Sequence, residues 1–259
     1  MKENSLIVPG TIKEKVYDDL AHPGMNWAGK IIGAVGHACY ASMGLPLEKW
    51  AERKERQVEE LNRQIESGIS RIPEKRRIEP SYGTVQAIFE GLESCLDEEL
   101  LQVGFVSLLC SAMDSNVATP LLKCHANILK QLCPDEAKIL KALYVKRVQA
   151  FIDVRSCLKG TTEGVTVYQY VTDINDLSKC ESPDDIPSYL VHLETLGLLQ
   201  IDSLKSLVDK RRYDLLEDKV KDVRRIIEDY GRSYDISKGM IYLTPLGKDF
   251  AKSCGLEGN

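Results

Sequence analysis

The chain lacks the residue patterns that announce a familiar chemistry. It has no G-x-S-x-G elbow, no P-loop and no Rossmann glycine fingerprint, so acyl transfer and nucleotide binding on those scaffolds have no visible site. Its four histidines, His22, His37, His125 and His192, stand far apart, and none falls in an H-E-x-x-H or zinc-finger spacing. Cys124, His125 and Cys133 come nearest to a ligand cluster, but apolar-face residues near one helix end read as core and cap. Eight cysteines (Cys39, Cys95, Cys110, Cys124, Cys133, Cys157, Cys180, Cys254) include no C-x-x-C pair and read as buried free thiols. The start, MKENSLIVPG, has no basic stretch followed by an apolar run, so a reducing cytoplasm is the expected compartment. The sequence predicts no catalytic residue, no metal and no cofactor.

An excess of positive charge is also lacking. Lys plus Arg number 34 against 39 Asp plus Glu, for a net charge of -5. A chain that captures nucleic acid by electrostatics carries the opposite balance, so nucleic acid is not an expected partner.

What the chain does have is apolar periodicity. At 259 residues and 43% hydrophobic it can build two ordinary domains, placed here at 1–132 and 133–259. Thr11 to Leu20 is a short helix candidate, broken by His22-Pro23-Gly24. From Asn26 to Leu47 the run is rich in small residues, with Gly29, Gly33 and Gly36 on spacings that let helices approach closely. Lys30, His37 and Pro46 make it too polar for a transmembrane span of about 20 apolar residues. It reads first as a buried close-packed helix, and second as a segment making conditional membrane contact. Leu47 to Ile69 is the clearest amphipathic helix, with apolar residues at Leu47, Trp50, Val58, Leu61, Ile65 and Ile69 and charges elsewhere. Three further helices follow, striped by Val85, Ile88 and Leu92, by Leu101, Phe105, Val106, Leu108 and Leu109, and by Leu121, Leu122, Ile128 and Leu129.

Pro134 opens the next helix, read as running to Phe151, with Asp135 and Glu136 in the first turn. A strand is expected over Val165 to Val171, a helix over Asp184 to Leu198 with Gly197 as a natural C′ position, and a strand over Leu199 to Ile201. A strand from Met240 to Leu243 then leads into a last helix capped by Thr244, with Pro245 at its first position. This order is that of a winged helix, with a charged helical arm at 203–230 inserted where the wing should turn. The expected fold is therefore mainly α: an N-terminal helical bundle followed by a winged-helix-like α+β module with a long helical insertion in the wing. A winged helix that reads DNA needs cations on its recognition helix, yet Asp184 to Leu199 contains no Lys or Arg. Lys210, Arg211, Arg212, Arg224 and Arg225 are the arm's candidate contacts to nucleic acid or a partner, interleaved with acidic residues. If the arm serves a partner, Leu215, Leu216, Val220, Val223 and Ile227 should form an exposed apolar patch.

Two blocks of sequence then carry a resemblance. LEKWAERKERQVEELNRQIESGISRIPEKRRIEPSYGTVQAIFEG runs into ELLQVGFVSLLCSAMDSNVATPLLKCHANILKQLCPDEAKIL, covering Leu47 to Leu140. Together they resemble the Abi-alpha family of bacterial abortive-infection proteins, and the pairing of F-x-x-L-L-x-x-A-M-D with I-L-K-Q-L-C-P-D-E-A-K-I-L is what makes the likeness specific. The family-motif positions are Phe105, Leu108, Leu109, Met113 and Asp114, then Leu132, Pro134, Asp135, Glu136 and Leu140. The resemblance implies antiphage defence and brings no catalytic residues. It leaves two readings. One is a non-enzymatic effector or sensor acting through a protein partner or self-association, with the glycine-rich helix contacting membrane on activation. The other is a winged-helix regulator binding DNA or a partner.

Overall fold

The computed structural model describes residues 48–95, 97–161 and 163–257. The helix expected at 11–20 and the glycine-rich segment with Gly29, Gly33 and Gly36 lie outside the described residues. The described chain divides into two compact units, one reaching Gln131 and taking in Ser253–Gly255, the other running from Leu132 to Lys252 and resuming at Leu256.

In the first unit, helix α1 (Glu48–Ser70) buries Leu61, Ile65 and Ile69, four residues apart on one face. Helices α2 (Tyr82–Ser94), α3 (Glu99–Ala112) and α4 (Leu122–Leu129) follow. Ser81 starts α2, its hydroxyl accepting from the Thr84 amide. Helix α3 packs against α1, α2 and α4, which is why it is apolar nearly all round: Leu101, Phe105, Leu108 and Leu109 are all buried. The Phe105 ring comes so near α2 that a Cβ at Gly91 would lie 2.2 Å from it. A 3-10 turn, Glu74–Arg76, is clamped to the end of α3. Arg76 donates through Nε to Asp114 at 2.9 Å and makes a second contact to the same carboxylate. The Ile78 amide donates to the Met113 carbonyl at 3.0 Å.

The second unit is organised by a sheet. Helix α5 (Pro134–Lys146) leads through Arg147 into β1 (Val148–Cys157), followed by β2 (Gly164–Thr172) and the short α6 (Ile174–Ser178). Then come α7 (Ile186–Thr195), β3 (Leu199–Asp202), α8 (Arg211–Lys219), α9 (Lys221–Asp229), β4 (Ser233–Leu243) and α10 (Pro245–Ser253). The four strands are antiparallel in the order β2-β1-β4-β3. β1 and β4 pair without a break from Val148–Tyr242 to Cys157–Ser233. Edge strand β2 breaks register twice: Asp153 faces both Gln169 and Tyr170, and Val167 is skipped between the Val154–Tyr168 and Arg155–Thr166 pairs.

One face of this sheet presents Ala150, Ile152 and Val154, and α8 with α9 close over it through Tyr213, Leu216, Val220 and Ile227. The Tyr213 hydroxyl donates to the Gly239 carbonyl at 3.0 Å and accepts from the Leu207 amide at 2.8 Å. Helices α5 and α7 pack on one another, α5 also against β1 and β4 and α7 against β3.

Three expectations change. The chain is not a mainly helical protein ending in a winged helix but a mixed α+β one, because its second unit is built around a four-stranded antiparallel sheet whose two central strands are ten and eleven residues long. The helix opened by Pro134 stops at Lys146, where Arg147 takes φ 66° and turns the chain into β1, so 148–151 are strand. The arm at 203–230 is no wing insertion: its apolar residues Leu216, Val220 and Ile227 are buried against the sheet, with Val223 partly so, and among the five expected to form a patch Leu215 alone stands exposed.

Candidate functional site

A dense polar constellation lies at the start of α5. Pro134 occupies the first helical position and Cys133 the cap. Asp135 and Glu136 follow where helix N-termini favour carboxylates, and both are buried, at 5% and 3% exposure. Asp135 accepts from the amides of Glu181 and Ser182, the shortest at 2.8 Å, and from Lys138 Nζ at 2.8 Å. Lys138 Nζ also reaches Glu181 at 3.0 Å. Burial alone pushes the Asp135 carboxyl up, but Lys138 and the Ser182 and Glu181 amides together hold it below its ordinary range. The result is a clamp between the α5 N-terminus and the loop before α7.

Glu136 makes the second half. One oxygen accepts from the Cys133 amide at 2.9 Å, and the other takes the Nδ1 hydrogen of His192 at 2.6 Å. His192 sits in the last turn of α7. A buried carboxylate thus fixes the imidazole orientation, while the ring itself stays partly open at 41% side-chain exposure. Around this pair the Cys133 thiol is raised by burial and by the nearby Glu136, and the Tyr189 phenol is raised by burial, with Cys133 among its neighbours. Chemically the arrangement offers an oriented imidazole for proton transfer or hydrogen bonding, beside a thiol kept protonated rather than nucleophilic.

The other residues singled out in the sequence fall as follows. Phe105, Leu108, Leu109 and Met113 are fully buried in and just after α3, Leu132 and Leu140 are buried in the second unit, and Asp114 is the partner of Arg76. Arg212 donates to the Val148 carbonyl at 3.1 Å and to Gln149, so it ties the arm to β1. Arg224 pairs with Glu228 at 2.9 Å and lies 5.5 Å from the Tyr234 ring centre. Lys210, Arg211 and Arg225 are exposed. Cys124 is exposed rather than buried, His125 is buried, and the cysteines described are free thiols. Gly29, Gly33 and Gly36 lie outside the described residues. Among the described residues no three His, Cys, Asp or Glu side chains gather as a metal site. No described helix is long and apolar enough to cross a membrane.

Sequence reasoning missed His192, Lys138, Arg76 and Tyr213 as partners. The only available hint was local, a capping glutamate that also had a spare oxygen; the imidazole that takes it comes from 56 residues away.

Three comparisons bear on identity. The family model described as Abortive infection alpha matches residues 53–254. No curated protein matches the chain. Among solved structures, an uncharacterized protein from the hydrocarbon-degrading marine bacterium Alcanivorax borkumensis SK2 is similar at 19% identity, over 53% of this chain and 99% of its own, with a TM-score of 0.36.

Proposed function

The chain belongs to the abortive infection alpha family, which ties it to abortive-infection defence, and on that premise we propose that it is a non-enzymatic antiphage effector or sensor. It acts through contacts with a protein partner or a second copy of itself. The family match carries the reading, since it runs through both compact units rather than one. The α5 constellation supports action by contact: Asp135 and Glu136 are spent on amides, Lys138 and His192, which makes them fasteners of the fold. The family-motif apolar residues are likewise core, so what faces a partner is the surface around them.

The same reading assigns the harmful step to the membrane, through the glycine-rich segment at 26–47. Phage challenge of cells expressing the chain tests the defence role. Fewer plaques than a vector control and slowed growth of infected cells are expected, whereas unchanged plaque counts reject the role. Gly33→Leu should abolish toxicity, and undiminished toxicity removes the membrane step alone.

A further inference from the structure

The loop between β3 and α8 holds two aliphatic side chains almost wholly in water. Leu204 is 98% exposed and Val208 99%. They do not stand out because the loop is loose, since its backbone is fixed at both ends. Asp202 Oδ1 accepts from the amides of Leu204 and Lys205, both at 3.0 Å. The Tyr213 hydroxyl, itself anchored on Gly239, accepts from Leu207, and the Leu207 side chain packs on the cluster beneath the arm. With Leu207 drawn in, Leu204 three residues before it and Val208 just after it stand outward.

Charge surrounds them. Lys205 is paired with Asp202 at 3.0 Å, which leaves Lys210 and Arg211 exposed beside Asp209, and residues 202–212 keep a net positive charge in a protein whose net charge is -5. The geometry points to this loop as the docking surface for an anionic lipid bilayer, with Leu204 and Val208 entering the headgroup–acyl boundary and Lys210 and Arg211 meeting lipid phosphates. A protein partner would be met by a packed patch of adjoining, half-buried side chains. An aliphatic group standing clear on its own is suited to a fluid medium that closes around it. The inference rests on the membrane contact proposed above but not on the glycine-rich segment.

The test is flotation of the full chain with vesicles of phosphatidylcholine alone or mixed with phosphatidylglycerol. Capture by the anionic vesicles at low salt is expected, falling at high salt, with little on the neutral ones. The pair Leu204→Ser and Val208→Ser should weaken capture at least about tenfold without changing the melting temperature, because neither side chain touches the fold. Lys210→Glu with Arg211→Glu should do the same, leaving Gly33→Leu as a control that binds normally. No capture of the unaltered protein, or undiminished capture of the Leu204/Val208 variant, overturns the inference. Retention on polyglutamate but not on vesicles overturns it too, by assigning the loop to an acidic protein. Loss of capture in Gly33→Leu alone moves membrane contact to the glycine-rich segment, leaving the proposed function intact.

Discussion

Arg147 sits at φ 66° and ψ −46°, a conformation in which an L side chain crowds its own backbone. The strain buys the turn from α5 into β1 within one residue, while the side chain itself stands exposed. Arg147→Gly should therefore stabilise the protein by about 1 kcal/mol, read as a higher thermal midpoint. At Asp135 the sign is reversed. Its folded-state pKa lies below the unfolded value, as does that of Asp114, held down first by its hydrogen bond from Arg76. Each stabilises the fold above the unfolded carboxyl pKa, and each contribution is lost as pH falls through the folded one. Urea midpoints should drop as pH is lowered from roughly 5 to 3, and Asp135→Asn should flatten that dependence. Its overall cost should be about 2 kcal/mol, since two amides and an ammonium lose a charged acceptor.

At the scale of elements, the arm is the sheet's cover. Removing residues 203–230 in favour of a tight turn should give insoluble protein, because Ala150, Ile152 and Val154 would face water. A gentler probe is Leu216→Ala, expected to cost about 2–5 kcal/mol and to speed amide exchange in β1; unchanged exchange would show that the arm is not a cover. The sequence shows why this role was hard to read. Helix α1 announces itself because one face is buried and the other wet, whereas β1 buries Ala150, Phe151, Ile152 and Val154 on both faces and so lacks the alternation that marks a strand. An apolar run beginning at Ala150 looked like more of α5. The polar partners were illegible for a different reason: Arg76 with Asp114 and Glu136 with His192 are joined by tertiary closure, and no local spacing encodes either pair.

For the whole molecule, charge decides what the surface can attract. The net charge is -5, and with Arg212 bound to β1 and Arg224 to Glu228 the arm presents no concentrated cationic track among the described residues. Duplex DNA should not shift in a gel at physiological salt; a salt-sensitive shift abolished by changing Lys210 and Arg211 would refute this. The two breaks of register in β2 bear on the molecule's fate at high concentration. Gly164–Thr172 contains no charged residue and no proline, and it lies at the edge of the sheet with Val165 63% exposed. A straight strand of that composition would seed cross-β fibres. The unpaired residue at Val167 and the doubled one at Gln169–Tyr170 deny an incoming chain a regular ladder to copy. Excising Val167 should thus leave the fold standing yet shorten the lag before thioflavin-positive fibrils form, because a safeguard against polymerisation has been written into the strand as an interruption.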